Sequence, residues 1–277
     1  MTQKLRSMLF APGNKAELLQ KFSKIQPDAA IIDLEDAVPD TEKGIARENL
    51  QKFATSFKDE KFSIYARANP VSSEFFESDL EAFSPYLDGI VIPKISSVKE
   101  LQTAEKILST TSFASRIVVG IETVKGLVSA QEILSSNSVI ATYFGAEDYI
   151  ADLGGIRTVS NEEVLFARSQ MGLLGRLAGI PVIDQIVADF ADTERFTREA
   201  MQARSLGFAG KLCIHPSQVT LANESFSPRQ EEVTRAKELL SAYENAVSQG
   251  SASIVFEGQM VDEALAKQAR RILDLSN

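Results

Sequence analysis

Eight times along the chain, a short apolar run is followed by a longer segment whose apolar residues recur every third or fourth position. The runs are SMLFAPG, DAAIIDL, FSIYARANP, DGIVIPKI, SRIVVGIET, SVIATYFGAED, IPVIDQIV and FAGKLCIHP. The helical-period segments that follow them are KAELLQKFSKI, TEKGIARENLQKFATSF, SEFFESDLEAFSPY, SVKELQTAEKIL, VKGLVSAQEIL, EEVLFARSQMGLLGRLAG, ERFTREAMQARSLG and PRQEEVTRAKELLSAYENAVSQ. The runs are continuously apolar, so each strand must be covered on both faces, as in a parallel sheet flanked by helices. Eight β-then-α units in a chain of 277 residues predict an α/β fold, a (β/α)8 TIM barrel over residues 1–250. A doubly wound open sheet uses the same units, but no Gly-rich phosphate fingerprint follows the first run. Residues 251–277 fall outside the eightfold pattern. They predict a C-terminal extension with a short β piece over Ser253 to Phe256, a turn at Gly258 and a helix from Glu263. Such an extension caps the barrel or reaches a neighbouring subunit.

Hydrophobic residues make up 44% of the chain, enough for a large core, and the formal net charge of -9 argues against a nucleic-acid-binding face. The single cysteine, Cys213, excludes an intramolecular disulfide, and within KLCIHP it reads as a small buried hydrophobe. The N-terminal apolar stretch is too short for a signal peptide, and no run reaches the roughly 18 apolar residues of a membrane span. The expectation is a cytoplasmic protein with neither membrane nor nucleic acid as partner.

In a barrel of this kind, chemistry sits at the C-terminal ends of the strands. Nearly every predicted strand delivers an ionisable residue there: Asp33, Glu35 and Asp36, then Arg67, Lys94, Glu122, Glu147 with Asp148, Asp184 and His215. Several carboxylates without a histidine or cysteine cluster point to a hard cation held through oxygen, and Mg²⁺ takes one or two such carboxylates. Glu122 and Asp148, at the ends of adjacent strands, are the first choice as ligands; the plain alternative is a helix cap or an ion pair. Asp184 is placed inside the barrel or at its floor. Arg67 suits a carboxylate-bearing substrate, or pairs with the acids of the second strand. The turn FGAED offers backbone N–H groups to an anionic oxygen. His215, the only histidine, is fixed before Pro216, and with no G-x-S-x-G elbow a serine triad is ruled out.

The motifs RSMLFAPGN, IIDLEDAVPDTEKGIAR, YARANP, VIPKI, IETVKGL, FGAEDYIADLGG and FAGKLCIHPSQV together resemble the citrate lyase β subunit and its relatives, the malyl-CoA and citramalyl-CoA lyases of the HpcH/HpaI aldolase superfamily. The resemblance covers almost the whole chain. It implies a Mg²⁺-dependent carbon–carbon lyase acting on a CoA or acyl-carrier-protein thioester, in a homo-oligomer (a trimer or hexamer). It implies Glu122 and Asp148 as metal ligands and Arg67 as the holder of the substrate carboxylate. Glu35 and Asp36 would bind metal-bound water or Arg67, leaving Asp33 the least defined of the three acids. The backbone at Gly145, Ala146 and Glu147 would meet the substrate, and Arg6 and Lys15 would lie near the CoA phosphates or pantetheine. FEGQMVDEAL resembles a segment through which a C-terminal arm brings an Asp over a neighbour's site, which makes Asp262 the implied catalytic acid; otherwise it is a good helix N-cap. Asp262 favours a stand-alone CoA-thioester lyase over the citryl-acyl-carrier-protein lyase subunit of a citrate lyase complex. A related CoA-thioester synthase or thioesterase is a further alternative. An aldolase acting on free pyruvate would want an early histidine base, which this chain lacks. A scaffold role sits poorly with an intact set of Glu122, Asp148 and Arg67.

Overall fold

The structure is a computed structural model describing residues 4–111 and 116–276. Eight parallel strands close into a barrel in chain order. They are β1 (Ser7–Pro12), β2 (Ala29–Asp33), β3 (Ser63–Arg67), β4 (Gly89–Ile92), β5 (Ile117–Ile121), β6 (Val139–Phe144), β7 (Val182–Asp184) and β8 (Gly210–Cys213). Closure is made by β1 pairing with β8, with Met8 opposite Leu212. All eight apolar runs are therefore strands; only the predicted first residue of the fifth, Ser115, lies outside the described residues.

The connecting helices are α1 (Ala16–Leu19), α2 (Phe22–Ile25), α3 (Lys43–Ser56), α4 (Phe76–Glu81), α5 (Val98–Leu108), α6 (Val124–Leu134), α7 (Ala146–Leu153), α8 (Glu162–Ala178), α9 (Thr193–Ser205) and α10 (Pro216–Phe226). The predicted first helix is split in two, and the third shrinks to α4. Strand residues alternate between two buried environments. One set, including Met8, Ile31, Tyr65, Val91, Val118, Ala141, Ile183 and Leu212, fills the barrel interior. The other, including Ile32, Ile64, Ile90, Val119 and Phe144, is buried on the opposite face of the strands, which the helices cover. This double burial is why the strands show no polar alternation.

Asp184 takes the outward parity. It is fully buried between strands and helices, with Arg168 of α8 at 2.9 Å and Lys211 of β8 at 2.6 Å. This corrects the expectation that Asp184 lies inside the barrel or at its floor. Val182 and Asp184 share one face of β7, and Ile183 has the inward one.

Two compact units partition the chain, Met1–Asn223 and Glu224–Asn277. The second begins well before residue 250, because α11 (Gln230–Ser248) shares a core with the extension. Leu239, Leu240 and Tyr243 of α11 pack with Val261, Ala266 and Ala269. The extension forms β9 (Ile254–Phe256), β10 (Gln259–Val261) and α12 (Glu263–Ser276). The two strands pair antiparallel across Glu257 and Gly258, both with positive φ, a two-residue turn in which glycine carries no Cβ penalty.

Candidate active site

The site is built from the inward parity carried one step past the barrel core. On β2 the inward series Ala29, Ile31 continues to Asp33; on β3 Tyr65 continues to Arg67. Asp33 and Arg67 are register partners on adjacent strands. Their side chains form a parallel two-bond pair, with Arg67 Nε donating to Asp33 Oδ1 at 2.7 Å and Nη2 to Oδ2 at 2.6 Å. Nη1 lies 2.7 Å from Glu35 Oε2. Burial works against the charge on Arg67, but Asp33 and Glu35 outweigh it and raise its pKa well above the ordinary value. Asp33, the acid with the least defined role in the sequence, is thus the main anchor of Arg67. A guanidinium has five N–H donors, so this pairing leaves donors on Nη1 and Nη2 for a ligand.

Glu122 follows β5 and is buried. Its Oε1 accepts from the Tyr143 hydroxyl at 2.5 Å and from the Lys94 backbone N–H at 3.1 Å. With Oε1 so occupied, Oε2 is the oxygen left for a cation. Two glycines make room for this carboxylate. A Cβ at Gly120 would stand 2.5 Å from Oε1, and one at Gly145 would overlap Oε2. Burial, then the Glu35 charge, pushes the Glu122 carboxyl up to about 7. Burial likewise raises the Tyr143 hydroxyl, which stays a donor.

Glu35 is buried, and burial raises its carboxyl despite Arg67 and Lys94 nearby. Its loop is pinned by the buried ammonium of Lys43, which donates to the carbonyls of Leu34 at 2.7 Å and Glu35 at 2.9 Å. Lys94 reaches Glu35 at 2.8 Å, Asp36 at 3.1 Å and Asp148 at 3.4 Å. Asp36 therefore pairs with Lys94 rather than with Arg67.

Gly145 precedes α7 with an extended backbone. Its N–H is already given to the Ile121 carbonyl at 3.1 Å, which corrects the expectation that Gly145 donates to a ligand. The first-turn N–H groups of Ala146, Glu147 and Asp148 lack intrahelical acceptors by position, so the cradle starts one residue later. The Glu147 side chain is drawn to Arg157 at 3.0 Å.

These groups open into a cavity of about 490 Å³ with a mixed polar and apolar lining. Asp33, Asp36, Arg67, Glu122 and Asp148 line it together with the apolar Phe10, Ile186, Leu212 and Ile214, and the Phe10 ring centre lies 5.0 Å from the Arg67 guanidinium. Among the described residues no three His, Cys, Asp or Glu side chains close into a metal cage. Glu122 and Asp148 supply two carboxylates, and such a pair fits Mg²⁺, which retains waters and leaves room for substrate oxygens.

The remaining candidates separate. Lys15 follows β1 at the same end of the barrel, half-exposed and 4.0 Å from Glu42. Arg6 does not belong there. It precedes β1, at the opposite end of a parallel barrel, and is paired with Asp28 at 2.7 Å. His215 stacks on Phe190, ring centres 4.6 Å apart. Cys213 is buried, and burial pushes its thiol up to about 12, so it is inert. In the second unit, Asp262 Oδ1 caps α12 through the N–H groups of Ala264 at 3.0 Å and Leu265 at 3.3 Å. Sequence reasoning passed over Tyr143 and Lys43. Tyr143 carried a signal, since it shares the inward parity with Ala141 and Gly145.

A family model described as HpcH/HpaI aldolase/citrate lyase matches residues 6–216. The chain is 44% identical to the citrate lyase subunit beta-like protein of Deinococcus radiodurans over 97% of this chain and 96% of that protein. It is 28% identical to the mitochondrial citramalyl-CoA lyase of Rattus norvegicus over 98% of this chain and 86% of that one. The fold is similar to that of the protein CitE from Mycobacterium tuberculosis, solved in complex with magnesium, acetoacetate and coenzyme A. The TM-score is 0.84 at 26% identity, covering 100% of this chain and 99% of that one.

Proposed function

This chain belongs to the HpcH/HpaI aldolase/citrate lyase family and is a carbon–carbon lyase; from that premise we propose that it cleaves a β-hydroxyacyl-CoA thioester of a 2-hydroxy acid, of malyl-CoA or citramalyl-CoA type, with Mg²⁺ as cofactor. The products are an acyl-CoA and an α-keto acid or glyoxylate. The observation that carries this reading is the mixed lining of the cavity. A guanidinium with spare donors and the carboxylates of Glu122 and Asp148 share it with the apolar Phe10, Ile186, Leu212 and Ile214. Such a cavity suits a ligand with a carboxylate at one end and a thioester arm at the other.

Glu122 and Asp148 would hold the metal, which supplies Lewis-acid polarisation of the substrate hydroxyl and carboxylate oxygens when bound. Arg67 holds the substrate carboxylate through its free N–H groups, kept in one rotamer by Asp33 and Glu35. The first-turn N–H groups of Ala146 and Glu147 bind an anionic oxygen of the same substrate. In cleavage the hydroxyl gives up its proton to water as its oxygen becomes the keto oxygen. The C–C electron pair passes to the thioester as an enolate, and a positioned acid must protonate that carbon. Asp262 is that acid in this reading. Both of its capping bonds fall on Oδ1, so Oδ2 is left to carry a proton. It acts from a neighbouring subunit in a homo-oligomer, a trimer or hexamer. The outward face of α8 supports assembly, since Phe166, Leu173 and Leu177 are 75%, 64% and 67% exposed. Lys15 is retained as the contact for CoA phosphates. A cytoplasmic location fits a chain in which no described helix is long and apolar enough to cross a membrane.

The alternative is a citryl-acyl-carrier-protein lyase subunit, favoured by the 44% identity to a citrate lyase subunit beta-like protein. A cleavage assay over malyl-CoA, citramalyl-CoA and citryl thioesters, with Mg²⁺ or with chelator, decides between them. Chelator-sensitive release of keto acid or glyoxylate from a CoA thioester is expected, and no turnover of any thioester refutes the proposal. Asp262→Asn is expected to lose turnover while still binding Mg²⁺; a fully active variant removes Asp262 from the mechanism.

A further inference from the structure

Lys94 occupies a place that the lyase reaction leaves unexplained. It stands directly after Pro93 in the turn that ends β4, with φ at +56°. A left-handed backbone at a non-glycine residue is strained and persists where the surroundings impose it. Here two contacts impose it. The backbone N–H reaches Glu122 Oε1 at 3.1 Å. The side chain turns back over the acids, with Nζ 2.8 Å from Glu35 Oε1, 3.1 Å from Asp36 Oδ2 and 3.4 Å from Asp148 Oδ1. One residue thus touches both carboxylates assigned to the cation, by its backbone at Glu122 and by its charge at Asp148.

The charge balance explains why an ammonium is needed. Asp33, Glu35, Asp36, Glu122 and Asp148 crowd the rim, and the ion pairs of Arg67 go to the first two. Asp36 and Asp148 have no contact with Arg67 among the ion pairs of the described residues; their cation is Lys94. The three contacts of Nζ are unequal. The bond to buried Glu35 is short, whereas that to Asp148, whose side chain is 43% exposed, is the longest. The ammonium is anchored on Glu35 and only leans on Asp148.

We propose that Lys94 is a resident counter-cation, which holds the Asp148 carboxylate while no divalent ion is bound and yields it when one binds. This rests on the reading of Glu122 and Asp148 as the Mg²⁺ carboxylates. Lys94 is a positioning residue, set behind the acids that line the cavity. It lowers divalent affinity, because the ion must compete with the ammonium for Asp148, and it keeps the rim from repelling itself when the ion is absent. The sign is opposite to that of a residue that merely braces the site, whose loss would weaken metal binding.

The experiment is titration calorimetry of the chelator-treated full chain with MgCl₂ and MnCl₂, alongside thermal unfolding of the metal-free proteins. Lys94→Met keeps the alkyl stem and the strained backbone while deleting the charge. Lys94→Gly deletes both charge and strain, and serves if Lys94→Met does not fold. Both variants are expected to bind divalent ions about tenfold more tightly than wild type, the low end of what one neighbouring charge does to a carboxylate's cation affinity. Metal-free Lys94→Met is expected to melt lower than wild type, and the gap to close on adding MgCl₂. Unchanged or weaker binding in a folded variant, with wild type binding normally, overturns the role of Lys94. No binding by wild type overturns the metal assignment and this inference with it.

Discussion

Glu122→Gln tests the electrostatics of the site most directly, because it changes one oxygen to an amide at nearly constant shape. Burial and the neighbouring Glu35 charge move this carboxyl from its ordinary 4.5 to about 7. A displacement of that size corresponds to about 3 kcal/mol by which the folded state disfavours the ionised form. The sign follows from proton counting. Between the two values the folded chain keeps a proton that the unfolded chain has lost, so stability falls as pH rises through this window. Above about pH 7 the full cost is present; below about pH 4.5 it is absent. Glutamine does not titrate, and its carbonyl can still accept from Tyr143 and the Lys94 N–H. In urea unfolding with chelator present, the variant is therefore expected to gain on wild type as pH is raised. The relative gain from about pH 5 to about pH 8 should be about 2.5 kcal/mol. The same variant is expected to lose calorimetric Mg²⁺ binding, because the cation needs the ionised oxygen that the fold disfavours. A stability difference independent of pH would refute the assignment of the raised carboxyl to Glu122. Unchanged metal binding would refute its role as a ligand.

Three other substitutions probe different parts of the argument. Arg67→Lys loses the planar fork that pairs with Asp33, and kcat/KM should fall about 100-fold, equivalent to about 3 kcal/mol; a change under about threefold in steady-state assays would show that Arg67 does not hold the substrate. Gly145→Ala places a methyl against Glu122, 2.7 Å from its Cγ, and should weaken Mg²⁺ binding in calorimetry by about tenfold or more; undiminished binding would show that Glu122 need not sit where it does. Lys211→Met removes one partner of the buried Asp184 and should cost about 3 kcal/mol in urea unfolding, with the remaining folded enzyme fully active; a loss of under about 1 kcal/mol would show that Arg168 alone neutralises Asp184.

The architecture was legible because a parallel barrel leaves a repeated, local mark. Each strand is apolar on both faces and each helix has its own period, so eight units can be counted without long-range information. The extension was equally legible in its parts, down to the hairpin turn at Gly258 and the helix from Glu263. Its boundary was not, because the packing of Leu239 and Tyr243 against Val261 and Ala266 is a contact between distant residues. The gathering of charged groups at one rim also followed from sequence alone, since strand ends in a parallel barrel share one face. Arg6 was misplaced because a motif match ignores which end of the strand a residue occupies.

What the sequence by itself determined was therefore the eight strand-and-helix units and most of the charged groups at the barrel mouth. Tertiary structure alone decided the partners. Asp33 meets Arg67 because hydrogen-bond register sets the two strand ends side by side, 34 residues apart. Lys94 meets Glu35 and Asp148 because closure curls the rim until groups 59 and 54 positions away lie within reach of one ammonium. Asp184 is turned away from the cavity by a single step of strand parity. Which residues reach the rim follows from local period and order, whereas which of them touch depends on register and closure, and those are properties of the assembled sheet.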